Sequence, residues 1–170
     1  MGAPKKIRRK YSTPKKPYDR TRLESEKKLK QDFGLRRKKE IWRAEGILRN
    51  FRQRARELQA RPDAEKEKML FDGIRKMGVD VARLEDILVI GVEDVLARRL
   101  QTVVFKKGLA NSPNQARQFI VHGHVTVDGR KAVWPSFIVE RGMEDRIMLN
   151  AKISAAMVKA QEEKKGKGKK

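Results

Sequence analysis

Cysteine is absent from all 170 residues, so the chain can build neither a disulfide framework nor a thiolate zinc site. That excludes a stapled secreted scaffold and a zinc ribbon. No stretch reaches the roughly 18 consecutive apolar residues of a membrane-spanning helix. The basic N-terminus has none of the apolar core of a signal peptide, and Lys6 stands where a myristoylation motif starting at Gly2 needs Ser or Thr. The expectation from these absences is a cytoplasmic protein with no membrane partner. Acidic charge is also scarce: 22 Asp and Glu face 43 Lys and Arg, for a formal net charge of +21. A small chain so charged needs a polyanion to offset its self-repulsion, and nucleic acid is the first candidate.

The positive charge is spread over both ends and the middle. Residues 1–18 carry Lys5, Lys6, Arg8, Arg9, Lys10, Lys15 and Lys16 with three prolines and no acidic residue. Such a segment has little to bury and repels itself, which predicts an extended basic arm that orders on a polyanion. Residues 151–170 end in a lysine-rich run and read as a second disordered basic terminus. Between them, residues 19–91 read as a helical subdomain with an acidic linker. Asp19 or Thr21 caps a short helix through Leu23, Leu29 and Phe33, which Gly34 stops. A longer helix starts near Arg37 and sets Ile41, Ala44, Leu48, Phe51, Ala55 and Leu58 in one stripe. Pro62 ends it, Asp63 begins another with Leu70, Ile74 and Met77 on its apolar face, and Gly78 closes that one. Acidic residues gather between Val79 and Asp94.

Residues 92–150 read as a compact module of two packed helices and a small antiparallel sheet, giving an α+β fold overall. A first helix buries Val92, Leu96, Leu100 and Val103 and carries Arg98, Arg99, Thr102 and Lys106 on a neighbouring flank. Gly108 turns the chain. The second helix has Ser112 as N-cap, Pro113 at its first position and Gln115 to complete a capping box. Ala116, Phe119 and Ile120 then face the core, while Gln115, Arg117, Gln118 and His122 face outward. The free N–H groups at this helix start suit a phosphate oxygen. Val125 and Val127 lead into Asp128-Gly129, the pair that supplies two positive-φ residues to a type I′ hairpin. The return strand is expected through Lys131 to Val133, a third from Ser136 to Val139, and a fourth near Arg146 to Leu149.

These residues carry a resemblance. The run from Arg99-Leu100-Gln101 to Gly108-Leu109-Ala110, with Ser112, Gln115-Ala116-Arg117, Ile120, His122-Gly123-His124-Val125, Val127 and Pro135 to Val139, closely resembles the S-four type RNA-binding domain. Upstream, Tyr11 to Pro14, Gly34-Leu35 and Ile41 to Glu45 are similar to the archaeal and eukaryotic branch of the S-four family of small-subunit ribosomal proteins. The resemblance implies a protein that binds small-subunit ribosomal RNA early in assembly, nucleates the body of that subunit and contributes to translational accuracy. It also implies a neighbouring protein, S-five, as partner, the messenger path nearby, and a single copy within the ribosome. Bacterial relatives that hold zinc do so with N-terminal cysteines, which are missing here. No metal, cofactor or catalytic residue is therefore expected.

Folded RNA has a deep, narrow major groove, so recognition through phosphates, sugar hydroxyls and splayed bases is expected. Arg98, Arg99 and Lys106 would engage phosphates, and Asn111, Ser112, Gln115 and Gln118 would hydrogen-bond to phosphate or sugar. Lys107, Thr102, Arg117, His122 and Lys131 complete the candidate set. Three other readings compete. An accessory module of an RNA-modifying enzyme would need a catalytic domain that residues 151–170 cannot hold. A DNA-binding helix-turn-helix shares the capped second helix. A stand-alone factor acting on stalled ribosomes would lack the helices between Asp19 and Met77.

Overall fold

The structure, a computed structural model, describes residues 11–151 and 153. Five of the expected arm cations, Lys5, Lys6, Arg8, Arg9 and Lys10, lie outside the described residues, as does nearly all of the expected lysine-rich tail. Lys15 and Lys16 are described and exposed.

The N-terminal half is helical for the reasons its sequence suggests. Helix α1 spans Arg20–Asp32 with Asp19 at the N-cap position, but the expected side-chain cap is not formed. The Asp19 carboxylate accepts from the Thr21 hydroxyl at 2.9 Å instead of from a backbone N–H. Gly34 takes the left-handed conformation after the helix (φ 58°). Helix α2, Lys39–Ala60, is 22 residues long, or about 33 Å at 1.5 Å per residue. It buries Ile41, Ala44, Leu48, Ala55 and Leu58 along one side, as the spacing predicts. Asp63 caps α3, Ala64–Lys76, by accepting from the N–H groups of Glu65 and Lys66. The acidic linker folds into a short helix, α4 (Asp86–Val89). Its Asp86 carboxylate accepts from the N–H groups of Ala82 and Arg83. The Arg52 guanidinium donates to the Ile90 carbonyl at 2.8 Å, tying the end of this linker to α2.

One expected helix is two. Helix α5 covers Val92–Ala97 and α6 covers Leu100–Lys106, with Arg98 and Arg99 between them in non-helical backbone. The break has a tertiary cause. The Leu100 N–H donates to the Phe137 carbonyl at 2.7 Å, and the Val139 N–H donates to the Arg98 carbonyl at 2.9 Å. An extended neighbour therefore takes backbone groups that a continuous helix would use itself. The break also divides the apolar stripe. Val95 and Leu96 pack with Leu35, Ile41, Ala44 and Leu48, whereas Leu100, Val103 and Val104 pack with Ala116, Ile120, Val125, Val139 and Ile147. A third cluster joins Ala55 and Leu58 to Leu70, Ile74, Val81 and Ile87.

Helix α7, Pro113–Val121, is capped as expected, with Ser112 Oγ accepting from the Gln115 N–H at 3.2 Å. The Gln115 side chain accepts from the Asn111 N–H, one residue ahead of the cap. Strands β1 (Val125–Val127), β2 (Arg130–Lys131) and β3 (Ile147–Leu149) form an antiparallel sheet in the order β2-β1-β3. The hairpin turn has Asp128 at φ 51° and Gly129 at φ 75°, the pair of positive angles that a type I′ turn requires. Two expectations are corrected. The return strand stops at Lys131, and Ser136 to Val139 is not a full strand but contributes a single antiparallel bridge from Ile138 to Arg99. A tight turn at Pro135, closed by the Phe137 N–H donating to the Trp134 carbonyl, brings this segment onto the α5–α6 break.

Gly78 shows how tightly the halves meet. It sits at φ 73°, and an added Cβ would overlap the Arg98 guanidinium, whose Nη2 donates to the Gly78 carbonyl. Gly78→Ala would combine left-handed strain with displacement of Arg98. The expected loss is about 2 kcal/mol of stability in urea unfolding, with the urea dependence unchanged.

Candidate nucleic-acid interface

The structure sorts the candidate residues by depth. Arg99 and Thr102 lie inside the protein, each 6% exposed. The Thr102 hydroxyl donates to the Leu96 carbonyl across the helix break. Arg99 Nη2 donates to Glu40 Oε2 on α2, and Arg117 from α7 donates to both oxygens of the same carboxylate, at 3.2 and 3.0 Å. Glu40 Oε1 also accepts from the N–H groups of Arg36 and Arg37, both at 3.3 Å. One carboxylate thus joins three elements. Burial pushes the Glu40 carboxyl up, but hydrogen bonds and charge from Arg117 and Arg99 outweigh it and hold it below its ordinary range. For Arg99, burial dominates over the attraction of Glu40 and lowers the guanidinium from its usual value.

Gln101 completes this junction, a role that no local pattern in the sequence signals. Only 1% exposed, its amide nitrogen donates to the carbonyls of Phe33, Gly34 and Pro113 at 3.2, 2.8 and 3.0 Å. Its oxygen accepts from Arg117 at 3.3 Å. The α1–α2 loop is thereby seated against the start of α7. A Cβ on Gly34 would stand 2.7 Å from Pro113 Cβ, so glycine is needed there for closeness as well as for its backbone angle.

Arg98 is partly exposed and paired with Glu144, and Lys107 donates to the Glu144 carbonyl. With Lys106 these residues line a cleft of about 450 Å³ that also includes Gly78, Asp94 and Glu144. Lys106, Asn111, Gln118, His122 and Lys131 are exposed, while Ser112 and Gln115 are half-buried at the start of α7. The His122 and His124 rings stack nearly parallel with centroids 6.0 Å apart, and His124 meets Phe119 edge-on. Among the described residues no group of three or more His, Cys, Asp or Glu side chains is placed to hold a metal ion. No helix of the described residues is long and apolar enough to cross a membrane.

The seating of the α1–α2 loop also brings forward cations that the sequence analysis passed over. Arg36, Arg37, Lys38 and Lys39 are all exposed, shortly after the Gly34 that packs against Pro113. Lys38 pairs with the buried Glu26 at 3.1 Å, and Lys39 lies over the Tyr11 ring at 5.7 Å. Tyr11 in turn lies 6.0 Å from Trp42, and Ser12 accepts from Arg49 at 2.6 Å. Tyr11 and Ser12 are therefore laid against α2, while the Lys16 and Pro17 carbonyls accept from Arg22 of α1. The sequence signal for this cationic run is four consecutive basic residues at the entry to α2.

A two-helix unit with a small antiparallel sheet and exposed basic residues defines the class, and the S4 domain family model matches residues 98–145. That match begins at the α5–α6 break. The chain is 50% identical over 153 residues to the small ribosomal subunit protein uS4 of Sulfurisphaera tokodaii, covering 86% of each chain. It is 45% identical over 153 residues to that of Methanothermobacter thermautotrophicus, covering 86% of this chain and 89% of the relative. Against that of Saccharolobus islandicus it is 44% identical over 172 residues, covering 96% of this chain and 95% of the relative. The chain belongs to the uS4 family of small ribosomal subunit proteins, in agreement with the archaeal resemblance of its sequence.

Proposed function

We infer that this protein is a structural constituent of the small ribosomal subunit that binds ribosomal RNA directly and without catalysing a reaction. The observation that carries the reading is the basic face around α6 and α7 in a chain of net charge +21, set in a fold whose relatives are small-subunit proteins. Lys106, Lys107 and Lys131 neutralise phosphates from the module, and Arg36 and Arg37 do so from the α1–α2 loop. Asn111, Ser112 and Gln115 at the start of α7, Gln118 within it and His122 at its end offer hydrogen bonds to phosphate and sugar. Arg99, Thr102 and Arg117 act from within, holding α6 and α7 at a fixed angle so that these groups meet a folded RNA junction in one arrangement. Arg98 contributes from the rim of the cleft. Early binding, nucleation of the subunit body, contact with protein S-five and an influence on accuracy near the messenger path belong to the same reading.

Each neutralised phosphate releases counterions, so affinity for the 5′ region of small-subunit ribosomal RNA should fall with salt. The log–log slope is about −0.7 to −0.9 per phosphate contacted. Replacing Lys106, Lys107 and Lys131 by Gln should reduce that slope by about 2 to 3 and leave the thermal transition in place. Excess transfer RNA should not displace the complex. Equal affinity for transfer RNA and for the ribosomal fragment would overturn the reading.

A further inference from the structure

The turn after the hairpin displays aromatic side chains that the core does not use. Trp134 is 65% exposed and Phe137 39%, which is unusual for side chains this large. They line a groove of about 500 Å³ with Val127, Ala132 and Met143, and Arg130 and Lys131 stand on its wall. Asp128, the acidic residue lining it, is paired with Arg146 at 3.2 Å. Arg130 and Lys131 have no ion pair among the described residues, so the groove's uncompensated charge is positive. Its floor is apolar and aromatic, and its rim is cationic.

The platform is also held in place. The Phe137 N–H donates to the Trp134 carbonyl at 3.1 Å, closing the turn on itself. The Phe137 carbonyl accepts from Leu100 at 2.7 Å, and the Ala132 N–H donates to Val125 at 3.0 Å. Pro135 restricts the backbone beside Trp134. An aromatic ring fixed on a short, doubly anchored turn loses little freedom when a second ring is laid on it.

We propose that this groove is a stacking site for an unpaired nucleobase of RNA, with Trp134 and Phe137 as the platform and Arg130 and Lys131 holding the flanking phosphates. The proposal rests on the RNA-binding reading above and extends it from the α6–α7 face to a subsite at the β2 end of the module, with Lys131 common to both. An A-form duplex keeps its bases stacked inside and offers such a ring nothing. A splayed or single-stranded base has a free face whatever its identity. A protein side chain would fill the same apolar floor, but it would leave the two rim cations without a counter-charge.

The test uses the full chain, the 5′ region of small-subunit ribosomal RNA, a single-stranded adenine oligomer and a fully paired hairpin of equal length. In the wild type the adenine oligomer should quench tryptophan emission and the hairpin should not. Trp134→Phe should abolish that quenching yet bind the ribosomal fragment within about twofold of wild type, because it keeps an aromatic face. Trp134→Ala should weaken binding of the fragment by roughly 5- to 100-fold, the range that loss of one base stack predicts. An unchanged far-ultraviolet spectrum and thermal transition would show that the fold survives.

Unquenched emission together with wild-type affinity in Trp134→Ala would overturn the stacking site and leave the RNA-binding reading standing. Loss of binding to another small-subunit protein, with RNA affinity unchanged, would overturn it in favour of a protein contact. If the wild type binds the ribosomal fragment no better than transfer RNA while the adenine oligomer still quenches, the ribosomal reading fails and the stacking site stands.

Discussion

Glu40→Ala is expected to cost about 3 to 5 kcal/mol of folding stability, the range for removing one partner from a buried ion pair. The alanine leaves the Arg99 guanidinium almost fully enclosed with no carboxylate beside it, and that enclosure is already unfavourable to its charge. Arg117, 24% exposed, can turn toward water and loses less. The double variant Glu40→Ala with Arg99→Met should therefore recover most of the loss, because an apolar side chain of similar length needs no partner. Urea unfolding of the two variants measures both quantities. Equal destabilisation of single and double variants would show that Glu40 matters for a reason other than the Arg99 charge.

The same carboxylate sets an acid limit. Its folded-state pKa is depressed below the ordinary 4.5, so its contribution is complete above that value and fades as pH falls through the lower, folded value. Glu26 behaves alike: burial raises it, but Trp42, Lys38 and Arg22 together bring it down. Glu45 acts in the opposite sense, being raised by burial and by the charge of Glu26. Glu40→Ala should lose less stability than the wild type below about pH 4.5, the ordinary value, while retaining the part due to Glu26.

Gln101→Leu is expected to destabilise by about 3 kcal/mol, although leucine is apolar, similar in size and well suited to a helix interior. Three backbone carbonyls, those of Phe33, Gly34 and Pro113, would lose a shared donor inside the protein. Arg117 would lose an acceptor as well. Gln101→Glu would keep the shape but present an acceptor to three acceptors, and should be worse than leucine. Because the amide seats the α1–α2 loop, hydrogen exchange in residues 33–37 should rise in the leucine variant more than in β1 and β3. Uniform acceleration everywhere would count against a local anchoring role.

The elements set by local chemistry were legible in the sequence. The α2 stripe, the Asp63 and Ser112 caps, the stop at Gly34 and the Asp128-Gly129 turn all depend on residues within a few positions of one another. The α5–α6 break was not legible. The spacing of Val92, Leu96, Leu100 and Val103 runs through it without a fault, and the groups that cause it belong to Phe137 and Val139. The same distance problem governs the candidate site. A helical wheel sets Arg99 and Thr102 beside Lys106 on one flank, but the wheel has no knowledge of Glu40, which is 59 residues away and draws Arg99 inward. Of the α7 residues expected to face outward, Gln118 and His122 are exposed, but Arg117 is drawn in by the same distant Glu40 and Gln115 is half-buried.

A chain is made from its N-terminus, and the Glu40 junction gives that order a consequence. When α1, α2 and α3 have left the exit tunnel, Glu40 faces water, the carbonyls of Phe33 and Gly34 have no amide to accept from, and neither arginine partner yet exists. The N-terminal helices therefore spend part of synthesis with their docking face unfinished. Arg99 and Gln101 arrive together, Arg117 follows, and Phe137 and Val139, which set the backbone on either side of Arg99, come later still. At the usual pace of translation the interval is on the order of seconds, long enough for the early helices to form but not to lock. The first half of the newborn chain thus waits on the second for the partners of its docking face.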